Sequence, residues 1–302
     1  MTAVRSRRSF LGGLAAAPLL AAPRAASGAV PRRPGPKAPK IKLSCNIYSF
    51  NEPLTKGTMS LEEAFDFCAE LGFDAVDPTG YYFPGYPEAP PDRYLYEIKK
   101  RAFRLGLDIS GTGVRNDFAA PDPAKRAAAV GLVKRWIDVS VKLGAPAVRV
   151  FAGPAVAGRS ATEATDQVVA HLEECVGYGA DRGIFVVLQH HDDLLKTASE
   201  TLAVLERVGS EWLGLNVDIG SLRTTDDPYA EIAALAPFAY TWQIKEQVYR
   251  KGVVEDVDLG KIVRILRDTG YRGYIPLETL GAGDPRPKLR LFLDRVRRAL
   301  DA

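Results

Sequence analysis

Six times along this chain an amphipathic stretch closes on a glycine and a short apolar run follows at once. The runs lie in Leu71–Asp77, Leu105–Gly111, Leu143–Phe151, Arg182–Gln189, Trp212–Asp218 and Gly270–Glu278. A glycine just past a helix supplies the left-handed residue that ends it, so each run reads as a strand launched from a helix C-terminus. Adding Lys42–Phe50 and Ala239–Lys245 gives eight expected strands. Between them the apolar spacing is three and four, as in Val130, Val133, Ile137 and Val141, or Leu289, Phe292, Val296 and Leu300. Strands alternating with helices imply βαβ units and a parallel sheet. Eight such units in roughly 260 residues is the size of a single-domain (β/α)8 TIM barrel, an α/β fold. A doubly wound open sheet would carry a Gly-rich phosphate turn after its first strand, whereas here that strand runs into Tyr48-Ser49-Phe50-Asn51.

The first 29 residues read as an export signal. Ser6-Arg7-Arg8-Ser9-Phe10-Leu11 places adjacent arginines before the mildly apolar run Leu11 to Ala22, and Ser27-Gly28-Ala29 suits a signal peptidase. That run is too short for a bilayer, and its pattern matches a twin-arginine signal. Residues 30–41 form a Pro-rich tether, which leaves 42–302 for the barrel. The expected location is periplasmic or secreted, with no stable membrane insertion once the signal is cleaved. Much of the net charge of +3 sits in the leader, and no helix face gathers Lys and Arg, which argues against a nucleic-acid partner. Cys45, Cys68 and Cys175 are scattered, without the spacing of a disulfide framework or a zinc-thiolate site, and read as buried small hydrophobes.

In such a barrel the reactive groups project from the C-terminal ends of strands. Polar residues collect there: Arg115, Asn116 and Asp117 after the third strand, Arg149 on the fourth, Gln189-His190-His191-Asp192-Asp193 on the fifth, Asn216 and Asp218 on the sixth, Gln243 and Lys245 on the seventh, Glu278 and Thr279 on the eighth. Side chains alternate, so if Gln189 points inward His191 does too and His190 faces away; Gln243 shares a face with Lys245, and Asn216 with Asp218. Asp218 and Glu278 can reach one point from strands two apart. Two carboxylates with the amide oxygens of Gln189 and Gln243 would suit Mn²⁺ or Mg²⁺. Each acid alone also reads as a helix cap. His191 suits an acid or base working near neutrality. Lys245 suits a substrate oxygen or a surface pair with Glu246. Arg149 and Asn116 are expected at the substrate, although Arg149 could equally neutralise Asp77. Tyr81 and Tyr82 sit in an aromatic, Pro-rich loop that suits stacking on a sugar ring or a subunit contact in a homo-oligomer.

With these segments in place, the chain resembles the xylose isomerase-like barrels of the sugar phosphate isomerase/epimerase type over roughly residues 42–300. The resemblance rests on Val186-Val187-Leu188-Gln189-His190-His191, Leu215-Asn216-Val217-Asp218-Ile219-Gly220, Trp242-Gln243-Ile244-Lys245 and Gly270–Glu278. It implies a divalent metal held by Glu, Asp, His and Glu on strands five to eight, with the two glutamates moving a proton between adjacent sugar carbons. Asp218 and Glu278 match that set. Gln189 falls where the first Glu is expected and Gln243 where the His is expected, and an amide cannot take a proton. The expectation is therefore an exported, metal-dependent isomerase or epimerase acting on a small carbohydrate. Glu278 would be its base, with His191 or Lys245 as the partner. A lyase or dehydratase on an oxidised sugar or glycoside and a non-catalytic carbohydrate-binding barrel are the alternatives.

Overall fold

The structure, a computed structural model, describes residues 40–191 and 194–302. The proposed export signal lies outside the described residues. In chain order the strands are β1 (Ile41–Asn46), β2 (Ala75–Asp77), β3 (Asp108–Ile109), β4 (Thr112–Gly113), β5 (Ala147–Phe151), β6 (Phe185–Gln189), β7 (Leu213–Asp218), β8 (Ala239–Lys245), β9 (Gln247–Arg250), β10 (Val253–Asp256) and β11 (Gly273–Glu278). The main sheet runs β3-β2-β1-β11-β8-β7-β6-β5-β4, with every pairing parallel. Its two ends, β3 and β4, are pieces of one stave broken at Ser110-Gly111, so the sheet curls into the expected eight-stave barrel.

The helices form where the sequence supplies their ends. Ser60 with Glu63, Ser160 with Glu163 and Thr197 with Glu200 make capping boxes, each satisfying two backbone or side-chain donors reciprocally. Asp122, Asp227 and Asp284 cap helices that begin with proline, which has no N–H to leave unpaired at that position. Gly144, at φ 79°, ends the long helix Pro123–Leu143 as its spacing predicts. One assignment differs. The helix Ala198–Val208 ends on Gly209, not Gly214; Gly214 lies inside β7, where an added Cβ would sit 2.3 Å from Tyr240 Cγ. That glycine serves packing across the sheet instead of a turn.

Two further features escape strand-and-helix spacing. The first strand stops at Asn46, whose side chain accepts from the Tyr48 amide at 2.9 Å and turns Ile47–Phe50 into a 3₁₀ turn. After β8 an antiparallel hairpin, β9–β10, turns through Lys251 and Gly252, both with positive φ (49° and 80°). That is the backbone a two-residue hairpin turn demands. The hairpin tip is bonded to the loop after β7 through Lys251 N to Thr225 O at 2.8 Å and Gly252 N to Arg223 O at 2.7 Å. The cysteines are free and buried, as their scatter suggests. Among the described residues no helix is long and apolar enough to cross a membrane.

Candidate active site

Strand register sets the depth of each polar group. Gln189 stands opposite Asn216, Asp218 opposite Gln243, and Lys245 opposite Glu278 on neighbouring strands. Because parity sends these side chains inward, they meet. Lys245 Nζ lies 2.8 Å from Asp218 Oδ2 and 3.4 Å from Glu278 Oε1. Gln189 donates through Nε2 to Asp218 Oδ2 at 2.7 Å, and the Ser221 hydroxyl donates to the same oxygen at 2.6 Å. The Gly220 amide donates to Asp218 Oδ1 at 3.0 Å. Gln243 donates through Nε2 to Glu278 Oε2 and accepts from Asn216 Nδ2 at 3.1 Å. His190 faces away, as parity requires, is buried, and accepts from the Asp218 amide at 3.1 Å.

This cluster floors a cavity of about 610 Å³ at the C-terminal mouth, which Gln189, Gln243, Lys245 and Glu278 all line. The two acids are pushed apart. Burial works against the charge of Asp218, but the Lys245 ammonium and the Ser221 hydroxyl outweigh it and hold the carboxyl at about 2. Burial raises Glu278 above its ordinary value, with the charge of Asp218 adding to the effect and Lys245 opposing it. Lys245 is itself buried, yet the two carboxylates outweigh that penalty and its pKa is raised. It is thus an ammonium at any working pH and a poor proton shuttle. Burial pushes His190 down to about 4, so it stands as a neutral ring behind Asp218.

Around the rim the expected residues divide. His191 lines the cavity, its ring 5.7 Å from that of Phe151 and edge-on to it. Arg149 also lines it, but its guanidinium is committed to Asp77 at 2.6 Å, both groups being buried. Neutralising that acid is therefore its first task. Asn116 is bonded on both sides of its amide to the Phe151 backbone, at 2.8 and 2.9 Å. It fastens the loop after β4 to β5 and also lines the cavity, where it was expected. Tyr81 lines the cavity and meets Tyr48, Tyr82 and Tyr86 edge-on. Tyr82 does not line this cavity; its hydroxyl donates to Asn51 Oδ1 at 2.8 Å, and it supports Tyr81 from behind. Sequence reasoning missed Tyr48, placed here by the 3₁₀ turn after β1, and Arg223, carried on the loop that the hairpin tip pins. An Asn at a strand end, able to cap its own turn, was a usable signal for the first.

Residues 65–298 match a family model described as "Xylose isomerase-like TIM barrel". The chain belongs to the xylose isomerase-like TIM barrel family. No curated protein sequence matches it. Similar solved structures include a D-psicose 3-epimerase with D-tagatose from Clostridium cellulolyticum H10, at 16% identity and TM-score 0.70, covering 86% of this chain and 99% of that one. A 3-keto-D-glucoside 4-epimerase from E. coli, in apo form, shares 16% identity at TM-score 0.70, covering 86% of this chain and 100% of the other. A xylose isomerase-like TIM barrel protein from Mycobacterium smegmatis in complex with magnesium shares 20% identity at TM-score 0.65, with 86% and 97% covered. At such identities the likeness establishes the barrel.

Whether this member's residues suit a divalent ion can be tested on the donors. The four expected ligands do converge, but not as a ligand set. Both oxygens of Asp218 already accept, from Gln189, Ser221, Lys245 and the Gly220 amide. Glu278 faces Lys245 with one oxygen and Gln243 Nε2 with the other. The amides thus present N–H to the carboxylates, leaving the Gln189 carbonyl oxygen buried without a partner among the described residues. One neutral oxygen is a poor site for a hard cation. Each positive charge brought within ~4 Å of the ammonium would meet a repulsion of about 4 kcal/mol near a protein surface. Among the described residues no group of three or more His, Cys, Asp or Glu is arranged to hold a metal. The residues do not fit the ion that the resemblance implies.

Proposed function

We propose that the protein is a sugar isomerase or epimerase that moves a proton on the carbon beside a carbonyl, and that it acts on an unphosphorylated keto-sugar or keto-glycoside. One juxtaposition carries this reading. Glu278, a carboxylate whose affinity for a proton burial has raised, and Lys245, an ammonium kept charged, face one cavity 3.4 Å apart. A carboxylate tuned upward is a better base near neutrality than an ordinary one. A fixed cation beside it is placed to meet charge that develops on an oxygen.

In the reaction, Glu278 takes the proton from the carbon next to the carbonyl. The C–H electron pair becomes the C=C bond, and the carbonyl pair moves onto oxygen, where the Lys245 ammonium meets it. A proton carried by His191, which lines the same cavity, returns to that carbon from the other face, giving the inverted centre and restoring the carbonyl. Return to the neighbouring carbon, with the hydroxyl proton shifted, gives the isomer instead. His191 is preferred over Lys245 as the second proton carrier because Lys245 stays charged. The structural relatives support keto-sugars: D-psicose 3-epimerase and 3-keto-D-glucoside 4-epimerase are both named for inversion at a carbon beside a ketone. A cavity of about 610 Å³ suits a small sugar or glycoside.

We also propose export. Arg7-Arg8 followed by Ser9-Phe10-Leu11 supports it, and Arg7→Lys/Arg8→Lys should keep the chain in the cytoplasm. The activity is tested by incubating ketohexoses and 3-keto-glucosides with the mature chain in D₂O. NMR should show deuterium entering the carbon beside the ketone, with product mass otherwise conserved. Glu278→Gln should abolish exchange, and unchanged exchange in that variant refutes the assignment. A product lacking water or an aglycone would identify elimination from the same intermediate.

A further inference from the structure

We infer that Lys245 is the resident cation of this site: its ammonium sits where a divalent ion would otherwise bridge the strand-end carboxylates, so the chemistry runs without a metal. The inference rests on the proposed proton transfer only for its catalytic consequence; its structural basis is independent of it. The ammonium lies between the acids, 2.8 Å from Asp218 Oδ2 and 3.4 Å from Glu278 Oε1. The surroundings are shaped to admit it. At Gly220 a Cβ would come within 2.7 Å of Lys245 Cδ, so any larger residue would crowd the lysine stem.

The amides agree with this arrangement. Turning either carbonyl oxygen toward its carboxylate would set two acceptors face to face, so Gln189 and Gln243 both present N–H. Among the described residues, the polar side chains bonded to the two acids are therefore donors: Gln189, Ser221 and Lys245 at Asp218, and Gln243 and Lys245 at Glu278. An ammonium has three N–H groups. Asp218 and Glu278 take two, which leaves one for a substrate oxygen on the side of Lys245 that lines the cavity. This defines the ligand's chemistry: a sugar whose carbonyl or enolate oxygen accepts from that N–H, with no metal intervening.

Manganese binding tests the inference without reference to turnover. The mature chain is stripped with EDTA, returned to metal-free buffer and titrated with MnCl₂, and free Mn²⁺ is followed by its EPR signal. The expected result is no site with a Kd below about 1 mM. Lys245→Met, which keeps the stem and removes the charge, should bind Mn²⁺ at least about 10-fold more tightly than the wild type, a difference of ~1.4 kcal/mol. One Mn²⁺ per wild-type chain, lost in Asp218→Asn, overturns the inference; so does equal affinity in wild type and a folded Lys245→Met. If Lys245→Met fails to fold by circular dichroism, the wild-type titration decides alone. A chain that excludes Mn²⁺ and turns over no keto-sugar would sink the proposed reaction and leave this inference standing. Full activity after EDTA supports both, and activity restored only by added Mn²⁺ overturns this one.

Discussion

Lys245→Met is the perturbation whose cost the structure lets us work out most directly. The ammonium is 2.8 Å from one buried carboxylate and 3.4 Å from another. At an effective dielectric of about 20, attractions at those separations are on the order of 5–6 kcal/mol each. Against them stands the several kcal/mol that desolvating an ammonium costs. Methionine removes both terms but leaves Asp218, buried and ionised, with hydrogen bonds alone. Removing one partner of a buried pair typically costs about 3–5 kcal/mol, because the charge left behind has no counterpart. For a domain of this size, at roughly 2–4 °C per kcal/mol, the melting temperature should fall by about 6–20 °C. Differential scanning fluorimetry at pH 7, with urea unfolding as a check, measures it. The companion variant Lys245→Met/Asp218→Asn removes the orphan charge and should recover most of the loss. A single variant that melts within about 2 °C of the wild type would refute the reasoning, since it would mean the pair contributes less than ~1 kcal/mol.

Other expectations follow from the same geometry. Asp218 is held at about 2 against an ordinary 3.8; a depressed carboxyl contributes stability above its unfolded value that is lost as pH falls through the folded one. Between roughly pH 4 and pH 2 the wild type should therefore lose on the order of 2 kcal/mol that Asp218→Asn does not, read from urea midpoints. Glu278 is shifted the other way, so kcat/KM should rise with pH through a group titrating above the ordinary carboxylate value, and a limb at or below 4.5 would count against Glu278 as base. Arg149→Met strands the buried Asp77 and should cost about 3–5 kcal/mol in thermal unfolding, with Asp77→Asn/Arg149→Met close to wild type. Gly80→Ala would place a methyl 2.6 Å from Trp136 Cε2 and 2.9 Å from the Gly113 carbonyl oxygen, so it should destabilise by about 1–3 kcal/mol in the same assay.

Much of the architecture can be read along the chain because it rests on local physics. Ala239–Lys245 is read with the bounds it has in the structure, and Gly72, Gly106, Gly144, Gly183 and Gly270 all adopt the positive φ that helix-ending glycines need. Gly214 misleads because its role is set by Tyr240 on the neighbouring strand, a contact that no local window contains. The hairpin β9–β10 is missed because its turn uses Lys251 where Asn or Asp is the usual signal. The partners of Asn116 and Tyr82 are likewise set by tertiary contacts. Both are polar groups near the mouth, but their hydrogen bonds go to Phe151 and Asn51.

Alternation along a strand, a property of the backbone, already puts Gln243 on one face with Lys245 and Asn216 on one face with Asp218, at the strand ends where Gln189 and Glu278 also lie. The same strand ends supply two acids, three amides (Gln189, Asn216 and Gln243) and one lysine. What those groups do to one another is a matter of register and depth. The pairing of Lys245 with Glu278 across β8 and β11, and the reach of Lys245 to Asp218 on β7, bring one ammonium within hydrogen-bonding range of both carboxylates. Spacing along the chain carries no information on that distance. It decides whether two carboxylates face an ion or a lysine, because charges buried together are paired by whichever opposite charge lies nearest.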